Sequence, residues 1–323
     1  MRRLFAATVV VALIALVARY PRQIWSHLTH WKGAPKRRIP YTLPGRGAVR
    51  LAIAGDVGHP GRGVNATGAA VAALGTSAPY AALVLLGDHA YPRGDPKTLP
   101  RTVFGPFGDV RAQGTPLLAV LGNHDVLDGH GDAQLDALGQ SGRWWAHEFG
   151  PLLLVGLDSN PPVAPEQLDF LEATLASSRA RWKVVALHHP PYSAGYQGSH
   201  LPTRELFEPI FRRHGVDLVL SAHDHDYQRS VPIGGVTYIV TGGAARARFS
   251  GTAPFTAASF RVRHYVDIAA TPDQLIVRAV DHDRLVVDEV VLEACASQSV
   301  PASSLHSDDQ VPGIEAPAGS RPG

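Results

Sequence analysis

Sulfur is nearly absent from this chain. Cys295 is the only cysteine among 323 residues, and it stands in a polar tail. One thiol cannot close an intramolecular disulfide or build a thiolate metal site. Any metal bound here must take nitrogen and oxygen ligands, which suits zinc, iron or manganese better than copper(I) or an iron–sulfur cluster. Net charge is scarce too: 30 Lys and Arg against 28 Asp and Glu leave +2, too little to mark a nucleic-acid binder. The pI near 8.7 partly reflects basic residues in the first fifty positions. There is no internal repeat, and the apolar run Leu4–Ala18 is short for a membrane span. What is present is an ordinary globular composition, 45% hydrophobic and 18% charged, sufficient for a substantial core. Histidine is the unusual count: there are 16, several beside Asp and Gly in short clusters.

The chain divides by composition. Arg2 and Arg3 precede the run Leu4–Ala18, which Arg19 ends; residues 1–19 have the layout of a secretory signal peptide or an uncleaved signal anchor. Leu16 stands where a cleavable signal wants a small residue, which favours the anchor. The basic residues downstream, Arg19, Arg22, Lys32 and Lys36 to Arg38, blur the orientation that the positive-inside rule would give. The expectation is an extracytoplasmic protein, secreted or anchored, touching a membrane only through this N-terminal segment. Residues 20–47, with Pro21, Pro35, Pro40 and Pro44, read as a Pro-rich basic linker. Residues 48–294 read as one catalytic domain. Residues 295–323 are rich in Ser, Pro, Gly and Ala and read as a disordered tail.

Inside that domain, Leu51–Ala54, Ala82–Leu86, Leu117–Leu121, Leu152–Val155, Val184–Leu187 and Leu218–Leu220 are short apolar runs of the kind buried on both faces of a sheet. Stretches near 65–75, 165–177 and 202–213 have helical length and pattern, and after Gly243 the pattern turns to β, with strands expected at 261–268, 274–279 and 285–292. The combination predicts packed sheets with helices outside.

The chemistry-bearing residues directly follow the strands. The turns are Gly55-Asp56-Val57-Gly58, Gly87-Asp88-His89-Ala90-Tyr91, Gly122-Asn123-His124-Asp125, His188-His189-Pro190 and Ala222-His223-Asp224-His225-Asp226-Tyr227. Taken singly, each has an ordinary reading as a turn, a helix cap or a packed histidine. Five in order, each at the carboxyl end of a buried strand, converge on one crevice.

This order and spacing resemble the calcineurin-like metallophosphoesterase superfamily, and within it the purple acid phosphatase branch. The resemblance spans roughly 50–245. It implies an α+β fold, a four-layer αββα sandwich of two packed mixed β-sheets flanked by helices, and a dinuclear metal-dependent phosphoesterase that turns a phosphate ester substrate over with a metal-activated water. Carried over by position, Asp56, Asp88, Tyr91 and His225 hold the first metal, and Asp88, Asn123, His188 and His223 the second, with Asp88 as the bridge. Gly58 stands where many relatives have a histidine ligand; a phenolate from Tyr91 fills that place and implies Fe(III) there, with Fe(II), Zn or Mn at the other position. His124 is the expected catalytic group, oriented by Asp125, and His200 an expected phosphate contact. His89 and His189 adjoin ligands and are expected to support them. Ala222 departs from the glycine usual in the family, and Asp125 from a common glutamate. Two rivals stand beside the phosphomonoesterase reading: a phosphodiesterase on the same scaffold, and an inactive surface-anchored binding protein that has kept only the fold.

Overall fold

The computed structural model describes residue 35 and residues 37–294. The expected signal segment, most of the linker and the expected tail, Cys295 included, lie outside the described residues. In chain order the elements are β1 (Ile39–Pro40), β2 (Val49–Ala54), α1 (Arg62–Ser77), β3 (Ala82–Leu85), α2 (Gly108–Ala112), β4 (Leu117–Ala119), α3 (Gly131–Leu138), β5 (Trp145–Phe149), β6 (Leu152–Gly156), α4 (Pro165–Ser177), β7 (Trp182–Ala186), α5 (Leu201–Arg213), β8 (Leu218–Ser221), β9 (Tyr227–Ser230), β10 (Thr237–Thr241), β11 (Thr256–Phe260), β12 (His264–Ala270), β13 (Gln274–Asp281) and β14 (Leu285–Glu293).

Two seven-stranded mixed sheets result, ordered β1-β14-β13-β12-β2-β3-β4 and β11-β9-β10-β8-β7-β6-β5. Side chains alternate across each strand, and the apolar runs supply both faces. Leu51, Ile53 and Val84 meet Leu154, Val184 and Leu220 in the core between the sheets. Ala52, Ala54, Leu83 and Leu85 turn outward under α1, while Val185, Leu187 and Val219 turn outward under α4 and α5. Indoles bond across the sandwich: Trp145 Nε1 donates to the Ala119 carbonyl at 2.8 Å and Trp182 Nε1 to that of Thr271 at 2.7 Å. This is the expected α+β sandwich.

The parallel ladders β2–β3–β4 and β6–β7–β8–β10 present their carboxyl ends side by side, which sets the position of the crevice. One expectation needs correcting. Residues 37–47 are not a linker: Ile39 and Pro40 pair with Val286 and Leu285, and Tyr41 Oη donates to Asp267 Oδ1 at 3.0 Å. A two-residue strand carries no period to read, so the proline content alone suggested a spacer. No helix of the described residues is long and apolar enough to cross a membrane.

Candidate metal centre

The five turns meet where the two sheets adjoin. Backbone bonds lace them together: Asp56 N donates to Gly87 O at 3.2 Å, Gly58 N to Asp88 O at 2.8 Å and Ala222 N to His188 O at 2.9 Å. His223 N donates across the sheets to Asp56 Oδ2 at 2.9 Å. Asp56, Asp88 and His223 take positive φ of 56°, 53° and 70°, a conformation that costs a non-glycine residue about 1–2 kcal/mol. Such strain collects where surrounding structure over-determines a side chain's aim. Gly122 is required sterically: a Cβ there would enter the Asp88 carboxylate.

Two donor groups face each other through one residue. Tyr91 Oη lies 2.8 Å from Asp56 Oδ1, 2.8 Å from Asp88 Oδ2 and 3.0 Å from His225 Nε2, and His225 Nε2 lies 3.3 Å from Asp56 Oδ1. His188 Nε2 lies 3.1 Å from Asn123 Oδ1, 3.2 Å from His223 Nδ1 and 3.6 Å from Asp88 Oδ1. The two oxygens of Asp88 thus point into separate clusters. Nδ1 of His188 donates to the Leu86 carbonyl at 2.8 Å, which turns Nε2 toward the cluster and fixes its tautomer.

The donor set suits cations. Asp56 and Asp88 are buried side by side, and the single Tyr91 proton can satisfy only one of three acceptors at a time. In an octahedral shell with bonds of about 2.1 Å, neighbouring ligand atoms stand about 3.0 Å apart, close to the separations around Tyr91 Oη. Asp56, Asp88 and His188 together offer three atoms within 4.8 Å of one another, as do His188, His189 and His223. Electrostatics agree. Burial raises Asp88, reinforced by the charges of Asp56 and Asp125 against the pull of His188. Burial works against charge on Asp56 too, but His225, His188 and His223 outweigh it and hold that carboxyl well below its usual range. Burial, then Asp56 and Asp88, drive the Tyr91 phenol far up; a cation among these oxygens would reverse that sense. Burial and the neighbouring His188 lower His223 to about 3, keeping its ring a neutral donor.

The remaining expected residues divide. His124 is one-third exposed, with Nδ1 2.7 Å from the Pro92 carbonyl and Nε2 4.0 Å from Asp88 Oδ2. Asp125 does not orient it. Its Oδ1 accepts from His89 N at 2.8 Å and its Oδ2 from Gly122 N at 2.9 Å, so Asp125 ties the second turn to the third while the Pro92 carbonyl holds His124. His89 Nδ1 stands 3.0 Å from Asp125 Oδ2, behind the site. His200 caps α5, its ring accepting from Thr203 N at 3.3 Å, and stacks on His189 at 4.5 Å. It reaches the site through His189, whose Nδ1 meets Ser159 Oγ at 2.9 Å.

Sequence reading missed His59. Its ring stacks on Tyr91, centroids 4.1 Å apart at 18°, while His124 meets the same phenol edge-on at 4.6 Å. The signal was available, because His59 follows the glycine of the first turn.

The calcineurin-like phosphoesterase profile matches residues 49–227, which contain every residue placed above. An acid phosphatase of Aspergillus ficuum is 40% identical over 90 residues, 27% of this chain and 15% of that protein. Purple acid phosphatase 17 of Arabidopsis thaliana is 37% identical over 81 residues, 25% of this chain and 24% of that protein. The matched segments thus span a quarter or less of these curated relatives. The structure of purple acid phosphatase PPD1 from yellow lupin seeds superposes with a TM-score of 0.68 at 18% identity, covering 83% of this chain and 59% of that one, which speaks for the fold. With more than half its length matched and the five turns intact, the chain belongs to the calcineurin-like phosphoesterase family.

Proposed function

We propose that this chain is a two-metal phosphomonoesterase of the purple acid phosphatase type. The observation that carries the reading is the division of Asp88, Oδ2 toward Tyr91 and Oδ1 toward His188, because a shared carboxylate screens the repulsion between two cations about 3.5–4 Å apart. Asp56, Asp88, Tyr91 and His225 would hold one ion, and Asp88, Asn123, His188 and His223 the other. When bound, the pair supplies Lewis acidity and brings a water to a pKa of about 7. Tyr91 as a hard anionic oxygen favours Fe(III) at its position.

The chain's own residues do the rest. The Pro92 carbonyl accepts from His124 Nδ1, leaving Nε2 on the Asp88 side as the atom that carries a proton to substrate. The water oxygen forms the new P–O bond, the bond to the ester oxygen breaks with its electron pair, and His124 protonates that oxygen. His188 and His189 are buried, so the wall behind the phosphate is dry and its dipoles are fixed. Residues 1–19 would carry the protein out of the cytoplasm or anchor it. The test is metal content of the purified protein together with turnover of nitrophenyl monoester and diester substrates. Two equivalents of metal with faster monoester turnover is the expected result; diester preference would move the chain to the phosphodiesterase reading, and no turnover in a metal-loaded protein would sink both.

A further inference from the structure

The segment between His188 and α5 shapes a cavity of about 410 Å³ whose lining includes Gly195, Gln197, Ser199, Leu201, Arg204 and Thr252, a volume in the range of small-molecule sites. Its wall is fastened to the candidate metal centre at two points. Asp224, which stands between His223 and His225, receives the Gln197 N–H at 2.8 Å and the Ser193 hydroxyl, and a Cβ on Gly195 would enter that carboxylate. Ser199 and Leu201 flank His200, whose ring stacks on His189 at 4.5 Å, and the His189 ring lies 4.9 Å from that of His223. The cavity therefore adjoins the side of the crevice that holds His188 and His223. None of the described residues lining it is acidic, and Arg204 is the one charged group among them. That guanidinium is held in place: its Nε donates to the Pro191 carbonyl at 2.8 Å, and its carbon lies 4.0 Å from the centre of the Tyr192 ring. Glu208, one turn further along α5, is engaged by the Tyr192 phenol at 2.9 Å and by Arg212 at 3.9 Å. Among the described residues Arg204 has no carboxylate partner.

We propose that this cavity takes the alcohol part of the substrate and that Arg204 binds a carboxylate on it, so that the preferred substrates are phosphate esters of hydroxy acids. The inference rests on the phosphoesterase reading above. With Nε engaged, the guanidinium presents its end-on pair of Nη groups, a fork that matches the two oxygens of a carboxylate. One positive charge among neutral walls suits a group that carries one negative charge. Because the Tyr192 stack and the Pro191 bond already hold the side chain, little rotamer freedom is lost when it takes a ligand. Leu201 and Ala194 offer apolar contact, and Gln197 and Thr252 polar contact, to the carbon body between the carboxylate and the ester oxygen. Hydrolysis keeps the balance already given, and the carboxylate takes no part in the bond changes.

The experiment uses two substrate pairs whose members differ in the carboxylate: 3-phosphoglycerate with glycerol 3-phosphate, and 3-(4-phosphooxyphenyl)propanoate with its primary amide. Metal-loaded wild type is compared with Arg204→Gln and Arg204→Lys. For the wild type, kcat/KM for the acid should exceed that for its neutral partner by about tenfold or more in at least one pair, chiefly through KM, the scale of a charge-assisted hydrogen bond. Arg204→Gln should bring that ratio close to one by a loss on the acid alone. Arg204→Lys, which keeps the charge and loses the fork, should retain part of it. Calorimetry with the free alcohols of the same pairs reads the cavity without turnover: the acid should bind more tightly than its neutral partner to the wild type, and no more tightly to Arg204→Gln. Ratios near one in both pairs, a preference that survives Arg204→Gln, or equal losses on acid and neutral members would overturn the proposal. A wild type inert on all the esters would sink the phosphoesterase reading, and the calorimetry would still decide whether the cavity takes a carboxylate. The wild-type ratios need no variant to fold, and circular dichroism checks that the two variants keep the fold.

Discussion

Tyr91 carries the finest distinction in the proposed site, because its phenol oxygen as a ligand would separate a centre suited to iron(III) from a general one. If it binds iron(III) as phenolate, oxygen-to-metal charge transfer should give a broad visible band. Tyr91→Phe should then bleach the iron-loaded protein while far-UV circular dichroism stays the same, since the ring that His59 and His124 pack against remains. An iron(III)-containing wild type whose spectrum ignores the substitution would take Tyr91 out of the coordination sphere. His124 answers to a different measurement. His124→Ala should lower kcat by about 10²–10⁴-fold, the usual range for a positioned proton donor, with metal content intact; loss of metal along with activity would make it a ligand instead.

At the scale of elements, the turns work because the strands before them are short, parallel and buried on both faces, and because glycines let neighbouring turns nest. Gly122→Ala drives a methyl into the Asp88 carboxylate. It should weaken metal retention on dialysis and reduce turnover by at least tenfold, with a far smaller effect on the metal-free melting temperature; full metal content in that variant would show the turn more pliant than drawn. The strands leading to the site were legible from sequence because runs such as Leu83–Leu85 and Val184–Ala186 have no polar interruption and end in Gly or His. Helices 165–177 and 201–213 were legible from their apolar period. Strands β5 and β9 were not: Trp145–Phe149 holds the exposed His147 and Glu148, and Tyr227–Ser230 holds Gln228 and Arg229, whose partners Ser193 and Asp288 are distant in sequence. The partnership of Asp125 with His89 and Gly122 was hidden for another reason. Adjacency in sequence suggested His124, whereas the fold brings the second turn nearer than the neighbouring side chain.

For the molecule as a whole, the start of the folded body lies earlier than composition implied. Arg38 pairs with Asp281 at 3.2 Å, Ile39 and Pro40 extend the first sheet, and Tyr41 joins Arg50, Tyr80 and Asp267 in a buried network. A protein lacking residues 1–36 should be soluble and fully active. One lacking residues 1–47 strips partners from the buried Asp267, and should melt several degrees lower, as a loss of about 1–2 kcal/mol would give in a domain of this size. Equal melting temperatures would show that the edge strand contributes nothing. The full-length chain should fractionate with membranes or outside the cytoplasm; a purely cytosolic distribution would contradict the reading of residues 1–19.

The left-handed backbone at Asp56, Asp88 and His223 sets function against durability. A chain relieved of these residues should be a sturdier object than the one that keeps them, because two neighbouring buried acids and three unfavourable backbone angles are retained with no return until cations arrive. Asp88→Asn, compared with wild type under chelator, should unfold at the higher temperature, since asparagine tolerates the same backbone angle and removes one of two adjacent buried charges. Under saturating metal the ranking should invert, as the wild type gains binding energy that the variant forfeits. A site of this kind persists only under continuous selection for its activity: left to drift, the sequence would trade it away for a more stable sandwich.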